Sequence, residues 1–325
     1  MQQIRWGMIG CGSVTEVKSG PGFQKAEGSS LVAVMRRNGA LAADYAKRHG
    51  VPKYYDDAQS LIDDDEVDAI YIATPPASHY GYALRAARAG KPVYCEKPMG
   101  LNAEQSKNMV EACKQAGVPL FCAYYRRALP KYLRVKELID SGTLGPVRAV
   151  HILMQQSIKE EEYKDGGIWR VNPEISGGGK FHDVGSHALD LIDWILGPIT
   201  EAQGEGLNQS KTYAADDMVF GHFRTASGVA GTGLWCFNTF RDEDRTEIFC
   251  EKGKLTYSVL DIAAPILLET ERGVETIGVE DPPMHVAQPL IQTVVNHLLG
   301  KGICESTGES ALRTDIILEK LAGKA

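Results

Sequence analysis

The chain has 325 residues, of which 43% are hydrophobic and 24% are charged. This length and composition predict a globular protein of two domains, because single cores rarely grow beyond about 250 residues. The net charge of −7, with basic residues spread along the chain, disfavours nucleic acid or an anionic membrane as the main partner and favours a small molecule.

Cysteine usage and the start of the chain both favour the cytoplasm. The seven cysteines form no CxxC pair, so reduced thiols are expected rather than a disulfide framework or a zinc site. The first residues lack the features of a signal peptide, and no apolar run approaches the length of a membrane span. We therefore expect a cytoplasmic protein without a membrane partner or a metal.

Short apolar runs alternate with helical periodicity from residue 4 to about residue 122. This pattern is typical of βαβ units around a parallel sheet, so residues 1–122 are predicted to form the first domain. Asn102, with Gln105 three residues later, predicts the start of a helix that Gly117 ends. The predicted strands are Ile4–Ile9, Leu31–Met35, Ala69–Ala73, Pro92–Cys95 and Pro119–Cys122.

From about residue 147 the hydrophobic pattern changes to alternation, as at Met218, Phe220 and His222. Alternation predicts a mostly antiparallel, open-faced sheet in a second α/β domain, residues 123–325. The last two of its helices can pack back on the first domain. The predicted helices are Pro130–Ser141, Ser186–Leu196, His285–Leu299 and Glu309–Leu321.

The turn Gly10-Cys11-Gly12-Ser13-Val14 follows the first strand and opens the first helix. A glycine permits the tight turn, and the start of the helix can hold a pyrophosphate. Thr15 stands where the dinucleotide fingerprint has its third glycine, which requires the helix and strand to pack slightly further apart. The context favours a Rossmann dinucleotide-binding domain; the alternative is a glycine-rich turn without a ligand.

The second predicted strand ends in Arg36-Arg37-Asn38, where an NAD-binding chain usually has an acid for the ribose diol. Two guanidinium groups suit a 2′-phosphate, which favours NADP over NAD. The alternative is an exposed basic turn with NAD as the cofactor.

Two further turns follow predicted strands. Thr74-Pro75-Pro76-Ala77-Ser78-His79 is rigid and lies where a nicotinamide ribose would bind, with His79 either facing the cofactor or serving as a capping or core histidine. Glu96-Lys97-Pro98 places a lysine at a strand end, where it can stabilise a developing alkoxide. The alternative for Lys97 is a surface turn.

Asp183 and His187 lie four residues apart at the start of a predicted helix, with Asp190 three residues further on. If the helix includes Val184, the three side chains approach one face, where carboxylate and imidazole form an acid/base pair. The alternative is an N-terminal cap by Asp183 with a buried His187. A metal site through His182 is disfavoured, because residues five apart diverge on an α-helix.

Together these motifs resemble the Gfo/Idh/MocA family, named for glucose-fructose oxidoreductase and inositol dehydrogenase. The resemblance extends over almost the whole chain, and the joint presence of its EKP and DxxxH motifs is specific. The matching motifs are the GxG turn, Ala73-Thr74-Pro75-Pro76 with His79, Glu96-Lys97-Pro98, Tyr125-Arg126-Arg127, Trp169-Arg170 with Pro173-Glu174, and Asp183-Val184-Gly185-Ser186-His187 with Asp190.

The resemblance implies a nicotinamide cofactor and a reaction that oxidises a sugar, cyclitol or related polyol, or reduces its ketone. It implies Lys97, Asp183 and His187 as the catalytic set. Thr74, Pro75, His79 and Glu96 would border the nicotinamide ribose, and Trp169-Arg170 match a pair that reaches the cofactor in the anhydrofructose reductase branch. It also implies a homodimer or homotetramer formed through the open sheet faces.

The substrate is less defined by the sequence. Tyr125, Tyr163 and Arg126 are predicted to line its pocket, and a neutral polyhydroxylated ring is expected because no arginine cluster forms an obvious anion clamp. Two alternative functions stay open: a redox-neutral glycosidase that retains its nicotinamide, and a nucleotide-sensing binding protein. The intact set of Lys97, Asp183 and His187 argues against the sensor, which has no need of acid/base groups.

Overall fold

The computed structural model describes residues 2–164 and 167–324, and the chain divides into two compact units. The first unit comprises Met1–Arg126 and Pro283–Leu312. The second comprises Arg127–Pro282 and Arg313–Ala325. Each unit contains one β-sheet.

The first unit contains a six-stranded parallel sheet in the order β3-β2-β1-β4-β5-β6. This is the doubly wound order of dinucleotide-binding folds, in which ligands bind beyond the carboxyl ends of the strands. The predicted Rossmann fold is therefore confirmed. The strands are Ile4–Ile9 (β1), Ser29–Met35 (β2), Lys53–Tyr55 (β3), Ala69–Ile72 (β4), Val93–Cys95 (β5) and Leu120–Cys122 (β6).

Helices cover this sheet and bury an apolar core that includes Ile9, Ile70 and Met109. As predicted, the Asn102 side chain accepts a hydrogen bond from the Gln105 amide (2.8 Å), and Gly117 adopts a positive φ of 68°. The Gln105 side chain differs from a capping box, since it accepts from the Leu101 amide. The helices are Ser13–Val17 (α1), Gly20–Lys25 (α2), Gly39–His49 (α3), Ala58–Ile62 (α4), His79–Arg88 (α5), Ala103–Gln115 (α6) and, late in the chain, Gln288–Leu298 (α10).

The second unit contains an eight-stranded sheet in the order β14-β13-β12-β11-β7-β10-β9-β8. Only the β7–β10 pair is parallel among the described strand pairs, so the predicted mostly antiparallel sheet is confirmed. The strands are Val147–Gln155 (β7), Ile199–Leu207 (β8), Met218–Thr225 (β9), Ala230–Cys236 (β10), Glu243–Cys250 (β11), Gly253–Tyr257 (β12), Ile266–Thr270 (β13) and Gly273–Ile277 (β14).

The alternation along β9 separates the two faces of this sheet: Val219 and Phe223 are buried, whereas Phe220 and His222 are exposed. The other helices are Pro130–Asp140 (α7), Pro173–Ser176 (α8), Ser186–Leu196 (α9) and Gly308–Leu321 (α11). Short 3₁₀ turns occur at Pro76–Ser78, Tyr125–Ala128, Glu160–Glu162 and Trp169–Val171. Among the described residues, no helix has the length and apolarity that crossing a bilayer requires.

Candidate active site

The two glycines of the turn after β1 have different structural reasons to be glycine. Gly10 has φ +99°, and an added Cβ would lie 2.7 Å from Thr74 Cγ2 and 2.9 Å from the Ala73 carbonyl carbon. Gly12 has φ −117°, which any residue adopts, and the nearest atom to an added Cβ would be the Gly10 oxygen at 4.0 Å. The fold therefore demands glycine at position 10, whereas at position 12 it leaves open space.

Thr15, in place of a third glycine, is fully buried in the first helix. Its hydroxyl donates to the Gly12 carbonyl oxygen (2.8 Å), and the Tyr45 hydroxyl donates to the carbonyl oxygen of Thr15 (2.8 Å). The hydroxyl and the carbonyl oxygen of Thr15 thus both have hydrogen-bond partners. Cys11 lies beside it, and burial raises the pKa of its thiol to about 11, so the thiol stays protonated at neutral pH.

Arg36 and Arg37 are exposed at the end of β2. The Arg36 amide donates to the Tyr55 carbonyl oxygen (3.1 Å), which fixes the backbone, while Asn38 caps α3 by accepting from the Leu41 amide (3.2 Å). Within residues 2–164 and 167–324, neither guanidinium has an ion-pair partner. Both charges are therefore available to an anionic ligand.

His79 connects the turns that follow β4 and β5. Its ring is 0% exposed, with Nε2 2.6 Å from the Thr74 carbonyl oxygen and Nδ1 3.0 Å from that of Pro98. Burial lowers the pKa of His79. Since its two ring nitrogens contact these backbone carbonyls, His79 fixes the backbone of the turn after β4 at Thr74 and of the turn after β5 at Pro98.

Glu96 lies at the end of β5 and is 7% exposed. The Tyr71 hydroxyl donates to its Oε1 atom (2.7 Å), and burial together with this carboxylate raises the pKa of Tyr71 well above its usual value. Tyr71 therefore stays protonated and orients the carboxylate. The next residue, Lys97, is half-buried and precedes Pro98 through a cis peptide bond.

Tyr125 and Arg126, which follow β6, are both buried. The ring of Tyr125 is contacted by two cations, with Lys18 Nζ 4.1 Å and Arg126 Cζ 4.9 Å from its centroid. Tyr163, in the second unit, is 48% exposed. The three residues predicted to line the substrate pocket thus differ widely in accessibility.

In the second unit, Asp183 lies in a π-helical turn, Phe181–Gly185, that continues into α9 at Ser186. His187 follows in the first turn of α9 and is 4% exposed. Single π-helical turns recur at functional sites. The sequence predicted a helix from Ser186, as found, and left open whether it included Val184. In a π-helix, hydrogen bonds join residues five apart, so the α-helical spacing argument against His182 does not apply.

His182 is nevertheless buried, and burial lowers the pKa of its imidazole to about 4. No group of three or more potential metal ligands occurs among the residues that the structure describes. The expectation of a metal-free site stays a prediction.

Arg170 binds the predicted catalytic carboxylate, a pairing that the sequence did not indicate. Its Nε donates to Asp183 Oδ2 (3.0 Å), and its Cζ lies 4.6 Å from the ring centroid of Trp169. The Trp169–Arg170 pair and Asp183 therefore form one cluster at the start of α9. This contact connects the predicted cofactor-binding pair with the predicted catalytic set.

Asp190, three residues after His187 on α9, is bound to Arg127. The Arg127 guanidinium donates to both oxygens of Asp190, at 2.8 and 2.6 Å, and the two side chains are 5% and 1% exposed. Burial raises the pKa of Asp190 to about 6, although Arg127 acts in the opposite direction. Asp190 thus anchors α9 one turn after His187.

Comparisons with known proteins agree with this architecture. Residues 4–124 match an oxidoreductase family with an NAD-binding Rossmann fold, and residues 132–256 match the GFO/IDH/MocA C-terminal domain. The chain is 40% identical over 322 residues to "Oxidoreductase P35" of Formosa agariphila, covering 99% of both chains. It is 27% identical to the 1,5-anhydro-D-fructose reductase of Ensifer adhaerens, covering 98% of this chain and 96% of the relative.

A solved structure of levoglucosan dehydrogenase, in complex with NADH and levoglucosan, has the same fold. Its TM-score is 0.88 at 21% sequence identity, with 100% of this chain and 97% of the other covered. The doubly wound sheet and its glycine turn define a nicotinamide dinucleotide-binding oxidoreductase. The chain belongs to the GFO/IDH/MocA oxidoreductase family, as the motifs predicted.

The two glycines give a matched test of the dinucleotide site. Gly12→Ala is expected to leave the free energy of unfolding within about 0.5 kcal/mol of wild type, because an added Cβ would enter open space. If this turn holds the pyrophosphate, the methyl group would occupy part of that space and weaken dinucleotide binding at least about tenfold. Gly10→Ala should cost about 1–3 kcal/mol of stability, because its φ is positive and its Cβ would meet Thr74.

Urea unfolding and calorimetric titration with NADP measure both effects. Unchanged NADP affinity in a folded Gly12→Ala variant would place the pyrophosphate elsewhere.

Proposed function

We propose that this protein transfers a hydride between NADP and a carbinol or ketone carbon of a neutral sugar, cyclitol or related polyol. The observation that carries the proposal is the junction of the π-helical turn with α9, where Asp183, bound by Arg170, is followed four residues later by the buried His187. A carboxylate and an imidazole at a helix start form the acid/base set that alcohol oxidation requires. The family match over residues 4–124, to an NAD-binding Rossmann fold, supports a nicotinamide dinucleotide as the cofactor.

We assign the chemistry to three side chains. His187 takes the proton of the substrate hydroxyl in oxidation and returns it in reduction. Lys97 stabilises the developing alkoxide with its positive charge, and Asp183 orients the substrate or the imidazole. A bound nicotinamide accepts or supplies the hydride at its C4 carbon.

We assign cofactor binding to the turns at the carboxyl ends of β1, β2, β4 and β5. The turn 10–14, including Cys11, Ser13 and Val14, would hold the pyrophosphate. The nicotinamide ribose would be bordered by Thr74, Pro75, Pro76 and Glu96. His79 would act indirectly, by fixing the backbone at Thr74 and Pro98. Trp169 and Arg170 complete the proposed cofactor contacts. The open space at Gly12 supports this assignment.

Substrate neutrality follows from the state of the arginines in the second unit. Arg127 and Arg170 already bind the carboxylates of Asp190 and Asp183. A substrate anion that bound Arg127 or Arg170 would therefore have to displace an existing ion pair. We propose Tyr125, Tyr163 and Arg126 as further substrate contacts.

NADP is expected to bind more tightly than NAD, because the two arginines after β2 have no ion-pair partner within the described residues. Replacement of Arg36 by Asp together with Arg37→Ala should reverse the preference, since the new carboxylate would accept the ribose diol and repel a 2′-phosphate. Equilibrium titration of the wild type and of the double variant with both dinucleotides measures this preference. Equal or tighter NAD binding by the wild-type protein would contradict it.

We also propose that two copies associate through the open face of the eight-stranded sheet. Phe220, Phe249 and Leu267 are 40%, 37% and 39% exposed on strands β9, β11 and β13. Exposed apolar patches of this kind often mark association surfaces. A dimer or tetramer in solution would support this arrangement.

We propose the cytoplasm as the location of the protein.

A screen of neutral sugars and cyclitols, sugar acids and sugar phosphates tests the proposed function, with NADP and NAD supplied separately and the reduced cofactor followed by absorbance. Reduction of NADP by a neutral ring supports the proposal. Preference for a sugar acid or phosphate over every neutral ring would refute neutrality. Glycoside cleavage without net cofactor reduction would favour the redox-neutral glycosidase.

A further inference from the structure

A second buried ion pair lies at the start of the π-helical turn. Lys180 Nζ is 2.8 Å from Glu162 Oε1, and the side chains are 7% and 5% exposed. The ammonium also lies 5.4 Å from the ring centroid of Phe237. Within the described residues, Glu162 Oε2 and the nearby Tyr213 hydroxyl are buried without a hydrogen-bond partner.

This pair is an inefficient way to stabilise a fold. Desolvation of two charges offsets most of their attraction, and well-packed apolar side chains in the same space are often at least as stable. The unpartnered oxygen of Glu162 adds a further cost. What a buried pair provides in return is geometry, because it specifies which two segments meet and in what register.

The two segments are the start of the π-helical turn and the 157–172 loop, of which the structure describes residues 157–164 and 167–172. The loop is attached at its beginning, where the amide and hydroxyl of Ser157 donate to Asp242 Oδ1 at 2.8 and 3.0 Å. Near its end, Arg170 binds Asp183. Glu162 lies between these two attachments in the sequence. Its ion pair with Lys180 is almost fully buried, whereas the Arg170 side chain is 38% exposed.

Lys180 is three residues before Asp183 and immediately precedes the π-helical turn. A shift of Lys180 would therefore move the backbone that carries Asp183. A release of Glu162 would loosen the loop that carries Trp169 and Arg170. Both consequences converge on the contact between Arg170 and Asp183.

We propose that Lys180 and Glu162 are a positioning pair for the reaction: they fasten the 157–172 loop to the π-helical turn and so hold Arg170 and Asp183 in their working geometry. The pair acts through these residues and touches neither the substrate nor the cofactor. The proposal rests on the function proposed above for its effect on rate. Its effect on loop order is independent of that function.

The test compares Lys180→Met, Glu162→Gln and the double variant with wild type, each as the full chain saturated with NADP. A misplacement of about 1 Å can cost about 100-fold in rate, so kcat should fall about 10- to 100-fold while the dissociation constant of NADP changes less than about threefold. The double variant leaves no lone buried charge, and its loss should be smaller than the product of the two single losses. Hydrogen exchange should accelerate selectively in residues 157–164 and 167–172.

Arg313→Met is the control, because it breaks another ion pair of the same unit, with Asp193 at 2.6 Å, and no described hydrogen bond or ion pair joins Arg313 or Asp193 to the loop. It should lower stability without changing kcat or the exchange of the loop. The proposal is overturned if the folded double variant retains wild-type kcat, or if exchange rises uniformly across the second unit. If wild type reduces NADP with no tested substrate, the proposed function fails, and selective loop exchange alone decides the role of the pair.

Discussion

Replacement of His187 by alanine is expected to lower kcat by about 10²- to 10⁴-fold, the usual contribution of a positioned proton acceptor. His187 is 4% exposed at the start of α9, one turn before the Asp190–Arg127 pair that anchors the helix. The anchor does not depend on the imidazole, so the helix should persist in the variant. Steady-state kinetics in the oxidative direction, with calorimetric titration of NADP, measure the loss and show that the cofactor site is intact.

The pH dependence makes the test specific. In wild type, the oxidation rate should rise with pH as His187 loses its proton, because the neutral imidazole accepts the proton of the substrate hydroxyl. That limb should disappear in His187→Ala. If the variant keeps nearly all of its activity, or loses activity only through unfolding or failure to bind NADP, His187 is a buried structural histidine and the base lies elsewhere.

Replacement of Lys97 by methionine is the second large effect expected, with a loss of about 10²- to 10³-fold in kcat. Methionine keeps the length of the stem but removes the charge that stabilises the alkoxide. Because Lys97 follows Glu96, which the Tyr71 hydroxyl holds, the cofactor site should remain formed. Stopped-flow measurement of cofactor reduction isolates the chemical step.

Lys107→Met is the control, because Lys107 is 64% exposed on α6 of the same unit. Its kcat should equal that of wild type. A Lys97→Met variant with unchanged kcat and a raised KM would instead assign Lys97 to substrate binding in the ground state.

Five of the six strands of the first sheet were predictable because local signals agreed with one another, whereas the three-residue strand Lys53–Tyr55 was not predicted. The strand Ile4–Ile9 has the predicted bounds, and the other four predicted strands differ by at most two residues at an end. The cap at Asn102 and the positive φ of Gly117 also follow from local chemistry. In each case the residue type alone specifies the backbone conformation.

The π-helical turn was not predictable in the same way. Phe181–Gly185 reads Phe-His-Asp-Val-Gly, and nothing in these residue types distinguishes a π-helical turn from an α-helical one. The choice depends on tertiary contacts, which a periodicity argument does not contain. The condition of the spacing argument, an α-helix that includes Val184, is not met, so a shared face for Asp183, His187 and Asp190 stays a prediction.

The partners in three ion pairs of the second unit could not be predicted from the sequence either. Arg170 and Asp183 are 13 residues apart, Lys180 and Glu162 are 18 apart, and Arg127 and Asp190 are 63 apart. Charges of either sign occur throughout the chain, so nothing local distinguishes these partners from the exposed pairs. The fold brings the partners together, and burial separates Lys180–Glu162 and Arg127–Asp190 from the exposed pairs.

Transfer of deuterium tests the central claim most directly. The protein is incubated with NADP and a neutral sugar or cyclitol deuterated at its carbinol carbons, and the reduced cofactor is analysed by nuclear magnetic resonance. Hydride transfer predicts deuterium at C4 of the nicotinamide and a ketone or lactone as the product. Conversion of the substrate without deuterium in the recovered cofactor, or no conversion of any neutral ring while a glycoside is cleaved, would contradict the account.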